Sequence, residues 1–378
     1  MKKIALVGST GSIGRQVINV VQRYPSRFKP VALIANSSTQ VFAQQINGIK
    51  PQYAALTDMQ AAKSMGGVPS GVTFLSGEDG ALKALEECGA DVIVVACGGF
   101  AGLIYSLKAA ELNIPLALAN KETLVCGGDL IMPKIGEIMP VDSEHSAIWQ
   151  CLNFNRNADF ARLVITASGG PFRGKQWNSL ASVTPAEALN HPTWKMGAKI
   201  TIDSATLLNK GYEVIEAHHL YNAPYEKIAA VIHPQSIVHS MVQFADGATL
   251  AQTSYPTMEL PIQLALTYPE RLDCGLKQLD FAKALTLDFQ PLVRKDYPLF
   301  DLALSCGEEG GILPTALNAA SEIAVNAFLQ GKLRFTDIYT VADKVVQSTV
   351  NMRVESYPQL KQADARAREG ALKIIEEV

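Results

Sequence analysis

Ile4-Ala5-Leu6-Val7-Gly8-Ser9-Thr10-Gly11-Ser12-Ile13-Gly14 sets a short apolar run against a turn punctuated by three glycines. From Arg15 to Tyr24 the chain then reads as a helix, with Val17, Val20 and Val21 on one face. Strand, glycine turn and helix open a mononucleotide-binding half: the glycines let the backbone approach a pyrophosphate, whose charge settles on the free N–H groups of the helix start. The spacing is G-x-x-G-x-x-G, a variant of the dinucleotide fingerprint. A glycine turn alone is weak evidence; its place directly after an apolar strand at the chain's beginning strengthens it.

Outward from this stretch the alternation continues. Val31 to Ala35 reads as the second strand, and its end is where an acid would normally grip a ribose 2′-OH. Here the chain runs Ala35-Asn36-Ser37-Ser38, with no carboxylate to repel a 2′-phosphate, which favours NADP(H) over NAD(H). Ala54-Ala55-Leu56, Asp91 to Ala96 and Ile114 to Ala119 read as further strands, the last opening onto Asn120-Lys121-Glu122. Strands apolar throughout imply a parallel sheet with helices on both faces. Around Pro140 the pattern changes. Leu163 to Thr166 and Val231-Ile232 look like strands of a different sheet, joined by segments such as Ser168-Gly169-Gly170-Pro171-Phe172-Arg173. Thr267 to Val293 shows little periodicity, and Leu317 to Leu329, Thr336 to Ser348 and Ala363 to Val378 read as helices. The expectation is an α/β protein: a Rossmann-like parallel sheet over 1–141, a central α+β catalytic domain over 142–266, a linker over 267–293 and a helical domain over 294–378.

The 378 residues exceed one ordinary core, and a formal charge of −3 with no cluster of Lys or Arg argues against a nucleic-acid surface. The partner is expected to be a small molecule. Six cysteines without C-x-x-C spacing fit reduced, buried thiols and a cytoplasmic setting. The apolar run after Met1-Lys2-Lys3 stops at Gly8, too soon for a secretory leader. Val92 to Ala110 is interrupted by Gly98, Gly99, Gly102 and Lys108, so it reads as no membrane span.

Asp142-Ser143-Glu144-His145 crowds two carboxylates and an imidazole into four residues. On extended backbone Asp142 and Glu144 would share a face about 7 Å apart. Such a pair repels unless a cation intervenes, and an all-oxygen set suits Mg²⁺ or Mn²⁺ better than Zn²⁺. A solvated loop is the bland alternative. In Ile202 to Glu213, Asn209 and Glu213 stand i, i+4 on one helical face with Lys210 adjacent, and Glu213 is a candidate third carboxylate. An ordinary Lys210–Glu213 surface pair is the alternative there.

Taken together, GSTGSIG (8–14), LANKETLV (118–125), VDSEHSA (141–147), TASGGPFR (166–173), MGAKITIDSATLLNKGYE (196–213) and HPQSIVHS (233–240) resemble the 1-deoxy-D-xylulose 5-phosphate reductoisomerase family, in the family's order and over nearly the whole chain. The resemblance implies an NADPH- and divalent-metal-dependent enzyme of non-mevalonate isoprenoid biosynthesis. Such an enzyme rearranges 1-deoxy-D-xylulose 5-phosphate and reduces the product to 2-C-methyl-D-erythritol 4-phosphate. It also implies a homodimer. Carried over residue by residue, it makes Asp142, Glu144 and Glu213 metal ligands, and it gives Lys121, Glu144 and Lys210 catalytic roles. Ser143 and Lys210 would hold the substrate's oxygen functions. Ser168, Ser204, Asn209 and Lys210 would bind its phosphate, with His191, His239 and Ser236 lining the pocket. Trp194 and Met196 would belong to a lid over 175–196. The cofactor would meet Gly8, Ser9, Thr10, Gly11, Ser12, Ile13, Ala35, Asn36, Ser37, Asn120, Lys121, Glu122 and Met196. His145 is expected to support the acidic motif, whereas His218 and His219 read as surface or core residues of their helix.

Two departures from the family pattern stand out: no lysine follows the second strand, and Ser321 replaces a commoner Asn. The enzymatic rival is a semialdehyde or homoserine dehydrogenase with the same front half, which needs neither three carboxylates nor the serine set. A cofactor sensor that has lost catalysis is the rival from another class; it would have no reason to keep Asp142, Glu144, Lys210 and Glu213.

Overall fold

The computed structural model describes residues 1–155 and 157–377. Along the chain it places β1 (Lys2–Val7), α1 (Ser12–Arg23), β2 (Phe28–Ala35), α2 (Thr39–Ile49), β3 (Tyr53–Leu56), α3 (Met59–Ser64), β4 (Thr73–Ser76) and α4 (Gly77–Glu87). Then come β5 (Val92–Val95), α5 (Gly102–Glu111), β6 (Leu116–Leu118), α6 (Glu122–Ile131), β7 (Ile138–Pro140) and α7 (Ser143–Cys151). Next are β8 (Arg162–Ala167), α8 (Pro185–Ala188), α9 (Ala198–Ala205), α10 (Leu208–Tyr221), β9 (Ile228–Ile232), β10 (Val238–Gln243), β11 (Thr249–Thr253) and α11 (Glu259–Thr267). The chain ends with β12 (Gln290–Pro291), α12 (Pro298–Glu309), α13 (Leu313–Leu329), α14 (Asp337–Ser348) and α15 (Tyr357–Glu377). These divide into two compact units: 1–120, 131–142 and 257–276 form the first, and 121–130, 143–256 and 277–378 the second.

In the first unit a seven-stranded parallel sheet runs β4-β3-β2-β1-β5-β6-β7. Strand order reverses between β1 and β5, so the crevice beyond their carboxyl ends is the position where open α/β sheets bind ligands. The turn after β1 lies at that crevice. Gly8 has φ +85°, and a Cβ there would meet Cys97 N, just past β5, at 2.5 Å. Gly14, in the first turn of α1, lies so close to the glycine turn that a Cβ would sit 2.1 Å from Gly8 O. The Gly14→Ala variant is therefore expected to cost about 1–3 kcal/mol of stability by overpacking against immobile backbone. Denaturant unfolding checks this; an unchanged midpoint would mean that the turn yields freely.

The second unit holds a five-stranded sheet, β11-β10-β8-β9-β12, in which β8 and β9 are parallel and β10 runs antiparallel to β8. Helices α12 to α15 form its helical part, and α13 buries Leu313, Leu317, Ala320, Ala324 and Phe328 against them.

Several sequence expectations change. The Asp142 to His145 stretch is not extended: from Ser143 onward it is α7, so its spacing follows a helix start and not the two-residue alternation of a strand. The four-residue run offered no periodicity to tell the two apart. Strands β4, β7, β10, β11 and β12 are not legible in the sequence, being short or half exposed, whereas α12 falls in the region expected to be helical. The segment read as a linker is largely irregular after α11, and its first part, to Leu276, belongs to the first unit.

Candidate active site

In the first unit the turn from Gly8 to Ile13 stands open at the start of α1. Gly11 is the N-cap residue and no side chain caps the helix, which leaves its first N–H groups for a ligand. Ser9 is fully buried, and its hydroxyl has no hydrogen-bond partner among the described residues. A donor in that position fits an acceptor-rich pyrophosphate. Arg15 Nε braces the turn by donating to Thr10 O at 2.8 Å. At the end of β2, Ala35 is buried while Asn36 and Ser37 are exposed, and Asn36 Oδ1 accepts from Thr57 Oγ1 at 3.0 Å. Asn120 Nδ2 donates to Gly99 O at 3.0 Å, which ties the end of β6 to the loop after β5.

The second unit gathers the charged candidates. Leu207 precedes α10 in the left-handed region (φ 56°), an uncommon conformation for a buried leucine, and it brings Asn209 and Lys210 onto the first turn of that helix. Glu213, 1% exposed, accepts from Asn209 Nδ2 at 2.6 Å and from Lys121 Nζ at 3.2 Å, and Lys210 Nζ donates to its other oxygen. Lys210 also reaches Glu144 Oε1 at 2.9 Å, and Lys121 reaches Asn209 Oδ1 at 2.6 Å. Ser143 Oγ donates to Glu144 Oε2 at 2.6 Å. Burial is the largest influence on Lys210 and pulls its pKa down, yet Glu144 and Glu213 together outweigh it and leave the ammonium more firmly protonated than usual. The surface-pair alternative for Lys210 and Glu213 is thus excluded, since both are buried.

Glu144 and Glu213 offer carboxylate oxygens within 4.8 Å of each other, and Asp142, one peptide bond before α7, adds a third to that group. Behind them His145 and Glu216, both nearly inaccessible, face each other at 3.2 Å, and Tyr221 Oη donates to His145 O at 2.5 Å. Glu216 had a readable signal that was passed over: it stands three residues after Glu213 on the same helix.

A separate cluster forms around the segment preceding α9. His191 Nδ1 accepts the backbone N–H groups of Thr193 (3.1 Å) and Trp194 (2.9 Å). Its Nε2 therefore carries the proton and donates to Ser168 Oγ at 3.0 Å. Burial lowers the His191 pKa, which favours this neutral tautomer. Trp194 packs edge-on against His239 at 6.2 Å between ring centroids, and His239 pairs with Ser254 Oγ at 3.0 Å. Burial lowers the His239 pKa as well, with Glu144 acting in the opposite direction. Gly170 (φ +65°) passes so close to α9 that a Cβ would lie 2.9 Å from Ser204 O, which brings the loop after β8 beside Ser204. Ser236 sits in a left-handed turn after β9, its N–H bonded to His233 O; among the described residues its side chain bonds none of the other candidates. Glu122 and Met196 are half-buried, and burial raises the Glu122 pKa.

A switch-point crevice with a phosphate-ready turn, together with a buried cluster of carboxylates and lysines, defines a dinucleotide-dependent enzyme of the metal-assisted kind. Family models for 1-deoxy-D-xylulose 5-phosphate reductoisomerase match residues 4–128, and models of its C-terminal domains match 138–221 and 253–370. The protein of that name from Thermodesulfovibrio yellowstonii is 44% identical over 381 residues, covering 100% of both chains; that from Thermomicrobium roseum is 47% identical over 348 residues, covering 91% of this chain and 89% of its own. Among solved structures, the Zymomonas mobilis reductoisomerase in complex with NADPH matches with a TM-score of 0.91 and 36% identity, covering 100% of both chains. A DOX-P reductoisomerase in complex with NADPH, fosmidomycin and magnesium matches with a TM-score of 0.93 and 34% identity, covering 100% of this chain and 98% of its own. The chain belongs to the 1-deoxy-D-xylulose 5-phosphate reductoisomerase family.

Proposed function

We propose that this protein converts 1-deoxy-D-xylulose 5-phosphate to 2-C-methyl-D-erythritol 4-phosphate with NADPH and a divalent cation, in isoprenoid precursor biosynthesis. The observation that carries this reading is the ion-paired group formed by half-buried Glu144 with buried Lys210 and Glu213, in a chain whose full-length relatives bear that enzyme's name. Asp142, Glu144 and Glu213 would hold the cation. The donor set fits: the three offer oxygens only, close enough to share one hard ion such as Mg²⁺ or Mn²⁺. When bound, the ion supplies Lewis acidity toward the sugar's oxygen functions, and NADPH supplies the hydride.

The chain's own residues do the rest. Ser143 and Lys210 orient the oxygens at the reacting end, and Lys121 and Lys210 offset the carboxylate charge that the buried acids concentrate there. Ser168, Ser204, Asn209 and Lys210 bind the phosphate, and His191, Ser236 and His239 line the sugar. The Trp194–Met196 segment, braced through His191, excludes water. Gly8, Ser9, Thr10, Gly11, Ser12 and Ile13 take the pyrophosphate; Ala35, Asn36 and Ser37 take the adenosine end, with Asn120, Lys121, Glu122 and Met196 toward the nicotinamide. Residues 1–141 serve as the NADPH domain, 142–266 as the catalytic domain and 294–378 as the helical domain, with 267–293 linking them.

Mixing purified protein with NADPH, Mg²⁺ and the pentulose phosphate should consume the nicotinamide absorbance only when all three are present. No oxidation with metal supplied would remove this function. Ser204→Ala should raise KM for the sugar phosphate by about tenfold, roughly one charge-assisted hydrogen bond, with kcat little changed. An unaltered KM would place Ser204 outside the phosphate site.

A homodimer is the expected state. Strand β11 ends the second unit's sheet and exposes Leu250, an edge that a second copy can cover. Sedimentation at twice 40.7 kDa is the expected result, and a monomer would contradict it. A cytoplasmic setting is supported by six cysteines without disulfides. No helix among the described residues is long and apolar enough to cross a membrane.

A further inference from the structure

Within the second unit lies a cavity of about 290 Å³ that none of the proposed site residues lines. It is bounded by the last turns of α6, α10 and α12, through Asp129, His218, His219 and Glu308. Tyr225 closes one side, its ring stacked on His218 at 4.5 Å and 16°. Val125, Ile215 and Val354 supply an apolar wall.

Negative charge predominates around this cavity. Three helices end there, each presenting the negative pole of its dipole. Asp129 and Glu308 add two carboxylates, and among the described residues no Lys or Arg lines the cavity. Among the described residues the start of α13 is an opposing pole; its Ile312 N–H is already bonded to Met352 O, and Pro314 has no N–H to offer. His219 does not offset the carboxylates. His219 stays neutral down to about 4 because of burial and the adjoining His218, against the pull of Asp129. His218 donates from Nδ1 to Ala223 O at 2.8 Å, which fixes its ring. His219 has no hydrogen-bond partner among the described residues, and its ring packs so tightly on Gly128 that a Cβ there would lie 2.4 Å away. Its ring is fixed in place, and one of its nitrogens is an acceptor.

A bare metal ion fits poorly. Among the described residues, no three of the cavity's His, Cys, Asp and Glu side chains bring ligand atoms within 4.8 Å of one another. The volume instead matches the lower end of small-molecule sites, and the walls pair acceptors with an apolar and aromatic surface. We infer that this cavity is a binding site for a small organic ammonium ion, its charged head between Asp129 and Glu308 and its alkyl part against Ile215 and Tyr225. The site stands on the same helix as Glu213 but about one and a half turns further along it.

The test is titration of the full-length protein with n-butylammonium, 1-butanol and butyrate, following the ring signals of His218 and His219 by NMR. Saturable shifts with butylammonium, at least tenfold weaker or absent with the alcohol and the acid, are expected. The double variant Asp129→Asn/Glu308→Gln, altered only at exposed positions, should weaken butylammonium binding at least tenfold. No saturable binding, equal binding of the alcohol, or an undiminished affinity in the double variant would each overturn the inference.

Discussion

Glu213→Gln is expected to lower kcat/KM for the sugar phosphate by about 10³-fold, some 4 kcal/mol of transition-state stabilisation, while leaving the NADPH dissociation constant within about twofold of wild type. The split follows from position. Glu213 is buried and sits where Lys121, Asn209 and Lys210 converge, so its charge belongs to the cation cluster. The residues proposed for the pyrophosphate lie in the glycine turn of the other unit. The amide keeps shape and can still accept from Lys210, but it removes a full charge from the proposed metal ligands. Steady-state kinetics paired with NADPH fluorescence titration reads both quantities. Equal loss of turnover and nucleotide affinity would mean that Glu213 holds the fold together and does not serve the reaction.

Lys210→Met is expected to destabilise the metal-free protein by about 3 kcal/mol, the low end of the cost of breaking a buried ion pair. The loss leaves Glu144 and Glu213 facing each other without the ammonium that now bridges them. Lys121 still meets Glu213, which keeps the cost from being larger. Saturating Mg²⁺ should recover much of the deficit, since a ligand at a hundred times its dissociation constant stabilises by about 2.7 kcal/mol. The variant should therefore gain more from the metal than wild type does. Thermal unfolding with and without Mg²⁺ checks this. A variant as stable as wild type without metal, or one indifferent to Mg²⁺, would show that the carboxylates do not form one electrostatic unit.

The sequence made the nucleotide half legible because its signals are local. β1, the glycine turn and α1 follow one another within two dozen residues, and the apolar runs of β2, β3, β5 and β6 have no other reading. The second sheet was read only in part. β10 and β11 carry polar residues such as His239, Ser240 and Gln252 beside exposed Leu250, so neither alternation nor an apolar run marks them. At the site, the i, i+4 relation of Asn209 and Glu213 was readable, and the structure joins them by a hydrogen bond. The ties from Lys210 to Glu144 and from Lys121 to Asn209 span 66 and 88 residues and come only from the fold. His145 was expected to support the acidic motif, but its buried partner Glu216 was not foreseen. Ser321 shows how a small substitution is absorbed: its hydroxyl meets Tyr212 Oη at 3.2 Å and donates to Asn318 O at 2.9 Å, so the position remains bonded within the helical part.

We propose that Asp142, Glu144 and Glu213 collect one divalent ion. Electron paramagnetic resonance of Mn²⁺ titrated into the purified protein counts that ion directly. One tightly bound Mn²⁺ per chain, displaced by Mg²⁺ and lost in an Asp142→Asn/Glu144→Gln/Glu213→Gln variant that still binds NADPH, is the expected result. Unchanged Mn²⁺ binding in that variant, or none in the wild type, would contradict the account.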